Sequence, residues 1–184
     1  MSLLTGFNIA NVERVKIETE ETTPETHVFE TASSVSCVPA ISQGQEVEQR
    51  IKNTIMGLLK TDDLVKGYDI TLEDQRLIVE ALALIDGGTI TLATNAFSKY
   101  EGPQAGGAVT RKSFTLTFYT SDRDTSGAAN SYYSWKFVNC KGKPVEFGSK
   151  DNEFRTTSYT IESRPASGSK MVTLEKVAEL PTVT

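Results

Sequence analysis

From Ser33 onward the apolar positions recur with period two. Val35 and Cys37 alternate with Ser34 and Ser36 until Pro39 interrupts, as it does at a sheet edge or a bulge. Tyr68, Ile70 and Leu72 alternate with Asp69, Thr71 and Glu73, which predicts a half-buried strand. The same pattern returns at Ile90 and Leu92, at Phe114, Leu116 and Phe118, and at Trp135 and Phe137. It returns again at Val145 and Phe147, at Tyr159 and Ile161, and at Val172 and Leu174. Polar segments at 121–131, 141–144 and 164–170 read as turns, and 94–110 as a longer loop carrying Gly and Pro. Many short strands punctuated in this way predict a mostly β fold, a sandwich or barrel.

One segment breaks the period. Leu77, Ile78, Ala81, Leu82, Leu84 and Ile85 make residues of about 75–86 apolar around most of a helix circumference. Asp74 is the expected N-terminal cap and Gly87 the expected left-handed stop. Such a helix needs cover on more than one side, from a sheet or from a subunit boundary. Residues 46–62 stay open between two readings. Val47, Ile51, Ile55 and Leu58 are spaced for a helix face, yet Ile51, Asn53, Ile55 and the β-branched Thr54 also suit a hairpin. Residues 1–32 are polar, with the run KIETEETTPET at 16–26, and are set apart as an N-terminal extended arm. That arm is either solvated or laid along a neighbouring subunit, and 33–184 form the β domain.

At 184 residues the chain is long enough for one well-packed domain. A net charge of -5 and a pI near 5.0 disfavour binding nucleic acid by phosphate neutralisation, which needs a basic face. No apolar run approaches the ~18–20 residues of a spanning helix. The start of the sequence has no basic stretch followed by a long apolar one, so the expectation is a chain made and kept in a cytoplasm unless other machinery moves it.

Candidate chemistry is sparse. The single histidine, His27, sits between Thr26 and Val28 with no partner in sequence. Cys37 and Cys140 lie far apart within strand-like patterns and read as small buried thiols, with a disulfide as the alternative. Neither C-x-x-C, H-E-x-x-H nor calcium-loop spacing occurs. Asp62 with Asp63, and Asp122 with Asp124, fall in expected turns. Gly87-Gly88 follows a helix, whereas phosphate-binding glycines precede one, and Gly106-Gly107 has no Lys-Ser/Thr pair behind it. Tyr132, Tyr133, Trp135 and Phe137 resemble a stacking platform on paper but read better as a core strand, because few Arg or Lys lie nearby. No catalytic, cofactor-binding or metal-binding residue is nominated, and no enzyme is expected.

Three blocks in order carry a resemblance: Gly67-Tyr68-Asp69, then Leu77 to Ile85 followed by Asp86-Gly87-Gly88-Thr89, then Glu153-Phe154 through Arg164-Pro165. Their sequence of strand, apolar helix, glycine pair and late Arg-Pro turn resembles the major tail (tail tube) proteins of long-tailed phages and phage-derived tail-like particles. The resemblance covers roughly two-thirds of the chain, and the N-terminal arm lies outside it. It implies a β-sandwich flanked by one helix, assembled as hexameric rings whose inner sheets join into a shared β-barrel. It also implies that the rings stack into a tube and that residues 47–65 reach a neighbouring ring.

On that reading Ile51, Asn53, Ile55, Met56, Leu58 and Leu59 are the expected ring-stacking contacts, with Leu77, Ala81 and Leu84 either interface or core. The cluster and the helix carry more apolar surface than one sandwich must bury, although a monomer core is the alternative for the cluster. Partners would be copies of this chain and other tail proteins such as baseplate, terminator and sheath. DNA would pass transiently, repelled by the acidic wall, or the tube would be the empty puncturing tube of a tail-like bacteriocin; no membrane is involved. The place would be a virion tail or tail-like particle built in the bacterial host. Competing expectations are another tail or baseplate ring protein, a type VI secretion tube protein, or a monomeric ligand-binding β-sandwich with a groove around Tyr132 to Trp135.

Overall fold

The computed structural model of the chain describes residues 6–94, 96–123 and 125–183, with the side chain of Asn130 set aside. Twelve strands and one helix follow in order among these residues. They are β1 (Ile9–Thr19), β2 (Thr26–Phe29), β3 (Ala32–Ser42), β4 (Glu46–Ile51), β5 (Thr54–Lys60) and β6 (Leu64–Asp74). Then come α1 (Val79–Asp86), β7 (Thr89–Ala93), β8 (Ala96–Glu101), β9 (Phe114–Arg123), β10 (Ala129–Gly142), β11 (Thr157–Ser163) and β12 (Thr173–Val177). The fold is mostly β with one helix. An antiparallel sheet runs β2-β1-β9-β10-β11-β6-β3, with β12 also on β10, and two separate hairpins, β4–β5 and β7–β8, stand off it.

Long β10 serves two neighbours along one edge. Tyr132 to Lys136 pair with β12, whereas Cys140 to Gly142 pair with β11. Between them the register breaks at 137–140 and Asn139 takes a positive φ of 49°. Asn139 holds the bend: its N–H donates to Glu20 Oε1 at 2.7 Å, its side-chain amide donates to the Arg164 carbonyl, and Arg164 N–H donates back to Asn139 O at 3.2 Å. The bend lets the inner faces of both sheet halves enclose one core. Val15, Ile17, Ile70, Leu72, Phe114, Leu116, Tyr159 and Ile161 are fully buried in it. Helix α1 adds Ala81, Leu82, Leu84 and Ile85 to the same core. The fit of helix end to sheet is close, since a Cβ on Gly142 would lie 2.1 Å from the Ile85 carbonyl oxygen.

Several expectations change. The arm set aside at 1–32 contributes β1 and β2 to the main sheet, and Val15 and Ile17 are central core residues. Their period-two pattern is present but interleaved with Arg14, Lys16 and Glu18, which gives the segment a polar composition. Helix α1 begins at Val79 and not near 75, with Ile78 in the cap position and no side-chain cap. Asp74 is the last residue of β6, and its Oδ1 accepts the Arg76 N–H at 3.0 Å, closing a turn before the helix. Gly87 does end the helix as expected, at φ 86° with its N–H donating to Ala83 O. Residues 96–101, expected in a loop, form β8 of a hairpin, and Val145 and Phe147 lie in irregular chain. The 46–62 stretch is a hairpin.

Candidate assembly surface

The β4–β5 hairpin continues a ribbon that begins in the main sheet. Strands β3 and β6 stay paired through Ile41–Val65 and Ser42–Leu64, beyond the point where β11 ends opposite Tyr68. The ribbon is pinned at residues 44–63. Gly44 N–H donates to Asp63 Oδ1 and Gln45 N–H to Thr61 Oγ1, both at 2.7 Å, and Thr61 N–H donates to Gln45 O at 2.9 Å. Only glycine fits at 44, because a Cβ there would sit 1.8 Å from the Thr61 carbonyl oxygen. From Ala40 to the turn at Lys52-Asn53 the arm spans about 40 Å of extended chain, at ~3.3 Å per residue. Lys52 makes the turn at φ 56°.

Cross-strand pairing sorts the arm into two unlike faces, since directly opposed residues share a side. Val47 opposite Leu59, Gln49 opposite Gly57 and Ile51 opposite Thr54 form one face with no charge on it. Glu46 opposite Lys60, Glu48 opposite Leu58 and Arg50 opposite Ile55 form the other. There Glu48 pairs with Arg50 at 2.5 Å and Glu46 with Lys60 at 3.6 Å. Of the expected stacking residues, Ile51, Ile55, Met56, Leu58 and Leu59 are all exposed, Leu59 by 66%. Asn53 is a turn residue at the tip. The helix residues divide differently: Ala81 and Leu84 are buried within this chain, and Leu77 is 52% exposed. The helix therefore finds its cover internally, on β10 and the core, and exposed apolar residues gather on the hairpins, with Val38, Leu64, Phe147 and Phe154 exposed elsewhere.

Sequence reading missed the β7–β8 hairpin. Ile90 opposite Tyr100 and Leu92 opposite Phe97 make one apolar face, half-buried at the base and exposed at the tip. Thr89 opposite Glu101 and Thr91 opposite Lys99 make the other, with Lys99 and Glu101 paired at 2.6 Å. Its base is fixed by Asp86, which is buried at the end of α1. Asp86 Oδ2 accepts the Tyr100 hydroxyl at 2.5 Å, Oδ1 accepts Val145 N–H at 3.1 Å, and its carbonyl accepts Arg111 Nε at 3.1 Å. Burial and the hydrogen bond to Asp86 push the Tyr100 phenol far above its ordinary range. The signal was Leu92 and Phe97 on either side of a short polar stretch in LATNAF.

The first and third motif blocks meet in space. A Cβ on Gly67, where φ is 150°, would lie 2.0 Å from Ser163 O, and Arg164 binds both Tyr68 and Asp69. These residues hold strands together and present no reactive group. Phe154 lies in the loop before β11 with its side chain fully exposed.

Other sequence candidates are structural. Asp63 serves the arm base, Asp122 Oδ1 accepts Asn8 N–H at 2.7 Å, and Asp124 lies outside the described residues. Both cysteines are free; burial pushes Cys37 up to about 11 and Cys140 up to about 12, so neither is a thiolate near neutral pH. Among the described residues no group of three His, Cys, Asp or Glu is placed to hold a metal, and no helix is long and apolar enough to cross a membrane. Trp135 and Phe137 belong to the inner face, Trp135 stacking on Phe118 and donating its indole N–H to Thr120 Oγ1. They line a groove of about 550 Å³ together with Val12, Val35 and Tyr68.

No protein-family model matches the chain, and no curated protein matches it. Among solved structures, the chain is similar to one in the cryo-EM structure of the anti-feeding prophage cap (AFP tube terminating cap). That match has 15% identity and a TM-score of 0.44, covering 96% of this chain and 97% of the other. It is also similar to a chain of the anti-feeding prophage baseplate, at 10% identity and a TM-score of 0.37, covering 97% of each.

Proposed function

We propose that this chain is a structural subunit of a tail or tail-like particle, assembling with its own copies into stacked sixfold rings that form a tube. The observation that carries the reading is the β4–β5 arm. A two-stranded ribbon standing alone in water is marginal, yet this one exposes Val47, Ile51 and Leu59 on its uncharged face, and Ile55, Met56 and Leu58 besides. Covering the uncharged face at about 25 cal/mol per Å² favours association, and apolar residues gathered exposed on one face mark an interaction site. Open sheet edges support the same reading. Among the described residues strand β3 leaves one edge without a partner strand over eleven residues, relieved mainly by Pro39. Joining edges around a ring removes them. Each copy brings a charge of -5, so a bore lined by part of it does not hold DNA.

Negative-stain microscopy of the purified protein tests the proposal. Tubes of stacked discs with sixfold end views are expected. Arrest at single rings assigns the chain to another ring position in the particle, and a monomer at high concentration contradicts self-assembly.

The groove beside Trp135 favours one other reading, a monomeric module that binds a ligand there. A chain that stays monomeric and binds a glycan array, with binding lost in Trp135→Ala, supports that reading against the first.

A further inference from the structure

The two free-standing hairpins share one construction. Each has an uncharged face with exposed apolar residues and an opposite face that carries its ion pairs. Only the uncharged face sheds water without stripping a charge, so each ribbon has a single face suited to burial. We infer that the uncharged face of β4–β5 in one copy packs on the Leu92/Phe97 face of β7–β8 in a copy of the adjacent ring. This deepens the tube reading above and rests on it.

Three physical points select a second copy as the occupant, and this pairing within it. Arm against arm would be a self-complementary contact that closes on itself as a pair, whereas a growing tube needs two unlike surfaces meeting head to tail. The two ribbons are those unlike surfaces. Apolar faces of two-stranded ribbons stack about 10 Å apart as sheets do in a sandwich. Here the aliphatic Val47, Ile51 and Leu59 meet Leu92 and the ring of Phe97. The size also fits. A face roughly 20 Å by 10 Å is far below the about 800 Å² per partner of a stand-alone interface. One contact therefore does not hold two free monomers, while its repetition around a ring holds two rings by multivalency.

The test uses two double variants of the full chain. Ile51→Asp with Leu59→Asp disables the arm, and Leu92→Asp with Phe97→Asp disables the receiving hairpin. All four side chains are exposed, so thermal unfolding is expected to stay near wild type. Each variant alone is expected to stop at single rings. Mixed in equal amounts they are expected to give double discs that do not elongate, because one species supplies an intact hairpin and the other an intact arm. Hairpin-variant tubes of wild-type length, or a mixture without double discs, overturn the pairing while wild-type tubes leave the tube reading standing. Wild-type protein that forms no rings removes the tube reading itself. Where a variant fails to fold, a Leu59→Cys/Leu92→Cys chain replaces it. Tubes of that chain treated with a bismaleimide that spans about 10 Å, the separation of stacked ribbons, should show a ladder of cross-linked copies absent from either single cysteine variant; no ladder overturns the pairing.

Discussion

Arg164 Nη2 lies 2.5 Å from Asp69 Oδ1 across 95 positions of sequence, while its Nη1 donates to the Tyr68 carbonyl at 2.9 Å. The guanidinium thus staples the end of β11 to β6 at the root of the arm. Both side chains are more than a third exposed, so the charge attraction contributes little and the fork of hydrogen bonds contributes most. Arg164→Lys should cost about 1 kcal/mol, a fall in Tm of roughly 2–4 °C. Asp69→Asn should cost less, and raising the salt should shrink the difference between it and wild type.

Two glycines separate global from local stability. Gly67→Ala places a methyl 2.0 Å from a backbone oxygen between core strands, at a positive φ. Two backbones would have to separate, so a loss on the order of 2–4 kcal/mol is expected by thermal or urea unfolding. Gly44→Ala makes an even closer clash, 1.8 Å, but at the arm base. The core does not depend on that contact. The expected result is a near-normal Tm together with faster amide exchange across 46–60.

Buried thiols and phenols predict alkaline weakening. Cys37 is held up to about 11, Cys140 to about 12 and Tyr159 to about 12, burial being the first cause in each. The ordinary values are 9.0 for the thiols and 10.0 for the phenol. Folded values above unfolded ones mean a stability contribution present in full below about pH 9 and lost as pH rises toward 11–12. Each group adds a slope of at most about 1.4 kcal/mol per pH unit. Urea midpoints should begin to fall near pH 9, and in a Cys37→Ala/Cys140→Ala chain only near pH 10.

Asp86 gathers three donors at the base of the β7–β8 hairpin. Asp86→Ala strands the buried Val145 N–H and the Tyr100 hydroxyl together, so a loss of about 2–4 kcal/mol is expected. Tyr100→Phe removes one hydrogen bond and should cost about 1–2 kcal/mol. The double variant should be less damaging than the sum, because the two share one contact. Chemical denaturation of the four species checks this, and strict additivity contradicts it.

Legibility in the sequence followed how many sides of a residue are wet. Ile70, Leu72, Tyr159 and Ile161 sit on strands with one face in solvent, so alternation marked them at once. Val15 and Ile17 alternate equally well, but the surrounding Glu and Lys masked them. Asp74 looked like a helix cap because an Asp before an apolar helical run is what a cap looks like; the extra turn at 75–78 has no periodic signature. The arm was ambiguous for a physical reason. A ribbon wet on both faces has no burial period, and Val47, Ile51, Ile55 and Leu58 at intervals of four and three fit a helix as well as a hairpin. Which arm residues share a face depends on the bulge beside Gln49 and Arg50, and a bulge leaves no mark in hydropathy.

Hydrogen exchange along Thr54–Lys60, measured in dilute monomer and in the assembled state, tests most directly whether copies of this chain cover the arm. In monomer these amides should show only the modest protection of a free-standing hairpin, and in assemblies they should slow by a further factor on the order of 100 or more, as expected for hydrogen bonds moved into a packed interface. Assemblies in which Thr54–Lys60 exchange as fast as in monomer would contradict the account.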